Sequence, residues 1–184
     1  ELYDIVADPG QRSDVAAERE GEVALLRGAY DAWWDSLEPV LDETVRIGVG
    51  GPENPVRLMS HDWHTEDRGT PWHQNHVRNG FVGNGPWAID VVRAGTYEIA
   101  LFRWPEQLER AMGVVHASID VEQSNRSGGA AASVTASSDV EAAATCARFQ
   151  VELGAGPAEL LTTLRRPDGV EHGAYFVSVR RLAD

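Results

Sequence analysis

The chain has 184 residues with a formal charge of −13, and its sixteen basic residues are all arginine. An acidic balance of that size argues against a nucleic-acid backbone or an anionic membrane as partner, and the lack of lysine removes Schiff-base and lysine-dependent phosphate chemistry. No apolar run approaches the ~20 residues a membrane helix needs, and the single cysteine, Cys146, forms no internal disulfide.

The opening "ELYDIVADPGQRSDVA" reads as a strand, Leu2 to Val6, running into the turn Asp8-Pro9-Gly10. A domain rarely opens on a ready-made strand unless something before it supplies the pairing partner. A helix is expected next. Val23, Leu26, Tyr30, Trp33 and Leu37 recur at spacings of three and four, and Pro39 stops the pattern. Ser13 or Asp14 is placed to cap an initial turn. The apolar face of this helix calls for a packing partner, either the following domain or a preceding one.

From about Asp42 the period changes to two. Alternation marks strands at Val45–Val49, Trp87–Val91, Tyr97–Leu101, Val115–Val121, Ala147–Leu153 and Tyr175–Val179. Turn signals lie between them at Ala94-Gly95-Thr96, Gly154-Ala155-Gly156-Pro157 and Arg166-Pro167-Asp168-Gly169. Short strands with no intervening helices predict an antiparallel β-sandwich over 42–184, preceded over 1–41 by one strand and one amphipathic helix. Residues 123–139 read as a long loop or a weak edge strand, and they carry the glycosylation sequon Asn125-Arg126-Ser127. Cys146, inside an apolar strand pattern, reads as a buried small hydrophobe rather than a nucleophile.

Four of the six histidines fall in residues 60–80: His61, His64, His73 and His76, with Asp62, Glu66 and Asp67 among them. Two H-x-x-H pairs have the ligand chemistry for zinc, but Gly69 and Pro71 break the helical turn that such pairs require. No metal site is assigned. A ligand-contacting loop suits the segment better: exposed tryptophan stacks on sugar rings, and arginine binds hydroxyls or sulfate. Trp63, Trp72, Arg78 and His64 are the substrate-contacting candidates, with Arg68 and Arg103 as further cations for a carbohydrate or sulfated ligand. Trp87 and Trp104 join strand patterns and are expected in the core. No G-x-S-x-G elbow, P-loop or G-x-G-x-x-G is present, so no catalytic residue is assigned.

The opening also carries a resemblance. Leu2-Tyr3-Asp4, Asp8-Pro9-Gly10 and Asp14-Val15-Ala16, followed by a helix ending in "AYDAWWDSL", resemble the C-terminal end of the catalytic module of formylglycine-dependent sulfatases. The later "HDWHTEDRGTPWHQNHVRNG", "NGPWAIDVVRAGTYEIALFRWP" and "GAYFVSVRRL" look like the β-domain that follows this module in a bacterial arylsulfatase subgroup. The resemblance implies a parent enzyme that hydrolyses sulfate esters with calcium and formylglycine, the parent's catalytic module being the partner of this region. It also implies that the chemistry lies upstream. Cys146-Ala147-Arg148 does not fit the family's C/S-x-P/A-x-R motif, and no lysine is present for its sulfate clamp. This region is then expected to be non-catalytic and without a cofactor of its own, with a free-standing carbohydrate-binding sandwich as the alternative.

Overall fold

The computed structural model describes residues 1–65, 69–124 and 132–182. The chain divides into two compact units, Glu1–Thr44 and Val45–Asp184. In the first unit the expected strand at Leu2–Val6 is not formed. Its residues turn instead, because Asp4 offers the backbone a closer partner than a sheet does: Asp4 Oδ1 accepts from the N–H of Val6 and of Ala7, both at 3.1 Å. Asp8 Oδ2 likewise takes the N–H of Arg12 and Ser13, and Asp14 Oδ1 takes those of Leu2 and Ala16. The helix α1 spans Glu20–Leu37 and leads directly into a single 3-10 turn containing Pro39. None of its residues is buried. Tyr30, Trp33 and Trp34 form an aromatic cluster on it, with ring centres 5.7–6.4 Å apart.

The second unit is built from β1 (Ile47–Val49), β2 (Val56–Met59), β3 (Trp87–Val91), β4 (Gly95–Phe102), β5 (His116–Gln123), β6 (Ala132–Asp139), β7 (Ala147–Leu153), β8 (Gly156–Arg165), β9 (Glu171–His172) and β10 (Phe176–Arg181). A short helix, α2, covers Gln74–Asn79. One sheet runs in the order β1-β3-β8-β5-β6, with β9 paired to β8, and the other in the order β2-β10-β4-β7. Every pairing is antiparallel except β1 with β3. The fold is a mainly β sandwich.

The core is the inward set of the alternating strands. Ile89 and Val91, Ala117, Ile119 and Val121, and Ala158, Leu160 and Leu164 come from the six-stranded sheet. Tyr97, Ile99, Leu101, Phe149, Val151, Val177 and Val179 come from the other. Strand β8 is the centre of its sheet, yet its sequence, "GPAELLTTLR", does not stand out as a strand. Pro157 and the Leu160-Leu161 pair blur an alternation that Ala158, Leu160, Thr162 and Leu164 nevertheless keep, all four being buried. Residues 132–139 form β6, an edge strand exposed along most of its length. The sequon Asn125-Arg126-Ser127 lies outside the described residues. Cys146 is half-buried just ahead of β7.

Candidate functional site

Segment 60–86 is pinned at both ends by Tyr175. The Tyr175 carbonyl accepts from the Ser60 N–H (2.9 Å), and its hydroxyl donates to the Phe81 carbonyl (2.7 Å). Burial pushes the Tyr175 phenol up to about 12, which keeps it a donor. Between these anchors, α2 is opened by His73, whose Nδ1 accepts from the Asn75 N–H, and closed by Gly80 at φ +71°. A β-carbon on Gly80 would need that left-handed φ and would stand 3.3 Å from both Arg103 Nη2 and Arg166 Nη1. Gly80→Ala is therefore expected to cost about 1–2 kcal/mol, read as a lower denaturation midpoint at unchanged m-value.

The loop candidates separate into two groups. Trp72 is 69% exposed and stands edge-on to His73 and His76. Arg78 is exposed on α2 and donates to Asn75 Oδ1, and His64 is exposed with its N–H held by the Pro86 carbonyl. Trp63 does not belong with them. It is only 5% exposed, and its indole packs edge-on against Trp87 at 5.8 Å and against Tyr175 at 6.2 Å. The correction has a packing cause: a large apolar ring beside a gap between two aromatic core residues is worth more buried than wet. Trp87 and Trp104 are both buried. Glu66, Asp67 and Arg68 lie outside the described residues.

Metal chemistry gains nothing from the geometry. Among the described residues, no three of His, Cys, Asp and Glu gather to hold an ion. His73 and His76 lie 5.9 Å apart by ring centres, but one caps α2 and the other stacks on Phe81. Among the described residues no donor set gathers for calcium, and the sequence has no C/S-x-P/A-x-R motif, so no chemical step is assigned to calcium or formylglycine.

His172 is a buried titratable group, 1% exposed and stacked 5.0 Å from the Tyr175 ring. Burial first, then the charges of Arg103 and Arg166, lower its pKa from the ordinary 6.5. With the folded pKa depressed, the unfolded chain binds the proton first as pH falls. Stability from this group is full above about 6.5 and declines below it, down to the folded value. His172→Phe should flatten that part of a stability-versus-pH curve.

A different feature lies on the outer face of the four-stranded sheet. The register sets Met59, Phe176 and Phe102 side by side in one row, with Arg57, Ser178 and Ala100 in the next. All of these but the buried Ala100 line a hollow of about 210 Å³, walled also by Pro105, Glu106 and Gln107. Arg57 and Glu106 pair across its rim at 3.3 Å. The exposed floor is Met59 and the partly buried Phe176, with Phe102 (5% exposed) packed beneath them, and the rim carries planar polar groups, a combination that recognises a ring with one apolar face and polar edges. Phe102 and Phe176 do not stand out in the sequence because each falls on the outward phase of its strand. Two aromatics on the face where alternation calls for polar residues were the available signal.

No family model matches the chain, and no curated protein sequence matches it. Solved structures do match. A ruminal GH26 endo-beta-1,4-mannanase is 14% identical at a TM-score of 0.41, over 72% of this chain and 27% of that one. A carbohydrate-binding module from Cellvibrio mixtus lichenase 5A, in complex with cellotriose, is 11% identical at 0.38, over 71% of this chain and all of that one (100%). Eiger TNF from S. frugiperda is 13% identical at 0.28, over 73% and 89%. The chain thus spans little more than a quarter of the mannanase's length. None of these likenesses assigns a ligand to it.

Proposed function

We propose that the sandwich is a non-catalytic carbohydrate-binding module whose ligand lies on the outer face of the four-stranded sheet. The observation that carries this is the hollow of Met59, Phe102 and Phe176 beside the Arg57–Glu106 pair, Gln107 and Ser178. A sugar ring stacks its C–H face on Phe176, which Phe102 supports from beneath, while carboxylate, amide and guanidinium take paired hydroxyls. A hollow of this size holds a single ring or a short stretch of chain, with the rest of a longer glycan left to cross the sheet. Trp72, Arg78 and His64, on the 60–80 loop, supply a second exposed surface for an extended ligand. Calorimetric titration of the chain with oligosaccharides tests the reading. Saturable binding that Phe176→Ala weakens by roughly tenfold or more supports it, and no binding across neutral and acidic oligosaccharides counts against it.

The sulfatase resemblance gives Glu1–Thr44 its place in this proposal, as the tail of a sulfatase catalytic module that carries the sandwich. What favours it is the role of the three motif aspartates: Asp4, Asp8 and Asp14 each hold two backbone N–H groups, so the L-Y-D, D-P-G and D-x-A spacings are those of three successive side-chain-capped turns. The exposed Tyr30–Trp33–Trp34 cluster on α1 is an apolar surface of the kind that docks on another module. The parent would then hydrolyse sulfate esters with residues outside this chain. A C/S-x-P/A-x-R motif in the reading frame upstream of Glu1 is the expected finding, and a frame without one removes this half of the proposal.

A further inference from the structure

The loop joining β4 to β5 folds back so that two of its arginines meet one ring. Trp104 Nε1 donates to the Ala111 carbonyl (3.1 Å), Arg103 Nη1 donates to the Met112 carbonyl (3.3 Å), and the fully buried Met112 is tied by its own N–H to Ala144 (2.9 Å). The guanidinium carbon of Arg110 then lies 4.0 Å from the centre of the Trp104 ring, and that of Arg103 lies 4.9 Å from it. A third cation arrives from the turn after β8. One point beside the Cα of Gly80 is 3.3 Å from both Arg103 Nη2 and Arg166 Nη1.

Arg103 shares the Trp104 ring with Arg110 and the neighbourhood of Gly80 with Arg166, and both like charges act on it, in a chain whose overall charge is strongly negative. Only one of them is neutralised: Arg166 forms a two-point pair with Asp168. Among the described residues no carboxylate pairs with Arg103 or Arg110. The Arg103 Nε–H is buried with no acceptor. His172, 1% exposed, feels the charges of Arg103 and Arg166, but its Nδ1–H donates to the Gly173 carbonyl, so its Nε2 is an acceptor and adds no donor to the cluster. A half-buried guanidinium whose inner N–H has nothing to donate to is costly unless an anion completes it.

We propose that Arg103, Arg110 and Arg166 form an oxyanion site, taking a sulfate or carboxylate group carried by a small ligand, with the Arg103 Nε–H as its inner donor. The planar guanidinium fork matches the paired oxygens of either group. A polyanion such as nucleic acid is disfavoured by the rest of the acidic surface, so the partner is a small molecule with one or a few charges. The site shares no lining residue with the hollow at Phe176 and does not depend on the sugar reading.

The test is an NMR titration of the chain with sodium sulfate and, in parallel, sodium acetate, at constant ionic strength with sodium chloride as control. The arginine Nε–H and tryptophan indole signals are followed. A saturable shift of the Arg103 Nε–H with sulfate or acetate and not with chloride upholds the site, and the tighter of the two names the group. The exposed Arg110, changed to Gln, should weaken that binding about tenfold while leaving the amide spectrum of the fold in place. An Arg103 signal that stays put, one that moves equally with chloride, or an unchanged affinity in Arg110→Gln overturns the proposal.

Discussion

Truncating Trp63 to alanine is expected to destabilise the sandwich by about 3–5 kcal/mol, the range for removing a buried large aromatic. The indole fills the space between Trp87 and Tyr175, and a Cβ on Gly173 would come within 2.6 Å of its ring, so the neighbouring backbone already depends on its position. Tyr175 in turn holds both ends of segment 60–86 through Ser60 and Phe81, so the loss should spread along that loop. Urea denaturation with paired amide exchange checks both parts: a lower midpoint, and faster exchange from Ser60 to Phe81. A stable variant with altered ligand binding would instead return Trp63 to the contacting surface.

Phe176→Ala carries the largest expected effect on binding. The ring stands between Met59 on β2 and Phe102 on β4, and alanine there opens the hollow and removes a partly buried ring packed against the margin of the core. Losing one stacking face should cost about 1–2 kcal/mol of affinity, a drop of roughly tenfold or more. Phe176 is only partly buried, so the stability of the fold should fall by much less than in Trp63→Ala. Isothermal titration on both chains, beside their thermal midpoints, separates the two effects.

The parts of the fold legible in the sequence were those where one local period decides the structure. Strands at Trp87–Val91, Tyr97–Leu101 and Ala147–Leu153 alternate cleanly, and each forms a strand with the expected residues buried. The α1 pattern also shows without its partners, because helical hydrogen bonds are local. What the sequence hid depends on distant partners. A strand at Leu2–Val6 needs a neighbour to pair with, and the near side chain of Asp4 takes the backbone instead. Strand β8 lies between two turn signals, the first of which, Gly154 to Pro157, overlaps the strand's own start at Gly156, and its burial between β3 and β5 is a long-range fact that its mixed composition does not announce.

The candidate site follows the same rule. Trp63 and Trp72 are alike in sequence context, each a tryptophan in a polar, histidine-rich loop. Only the placement of Trp87 and Tyr175, 24 and 112 residues further on, makes one an anchor and leaves the other at the surface. Phe102 and Phe176 are 74 residues apart and adjacent in the sheet, so no local pattern joins them. The arginines around Trp104 are half visible, since Arg103 and Arg110 share one short loop. Arg166 reaches them only because β8 ends beside Gly80.

Chemical-shift mapping of an oligosaccharide on the isotope-labelled chain tests the outer face of the four-stranded sheet most directly. Shifts centred on Met59, Phe102, Phe176 and the Arg57 side chain, fading toward the opposite sheet, are the predicted result. Binding that maps elsewhere with that row unmoved, or no binding by any oligosaccharide tried, would contradict it.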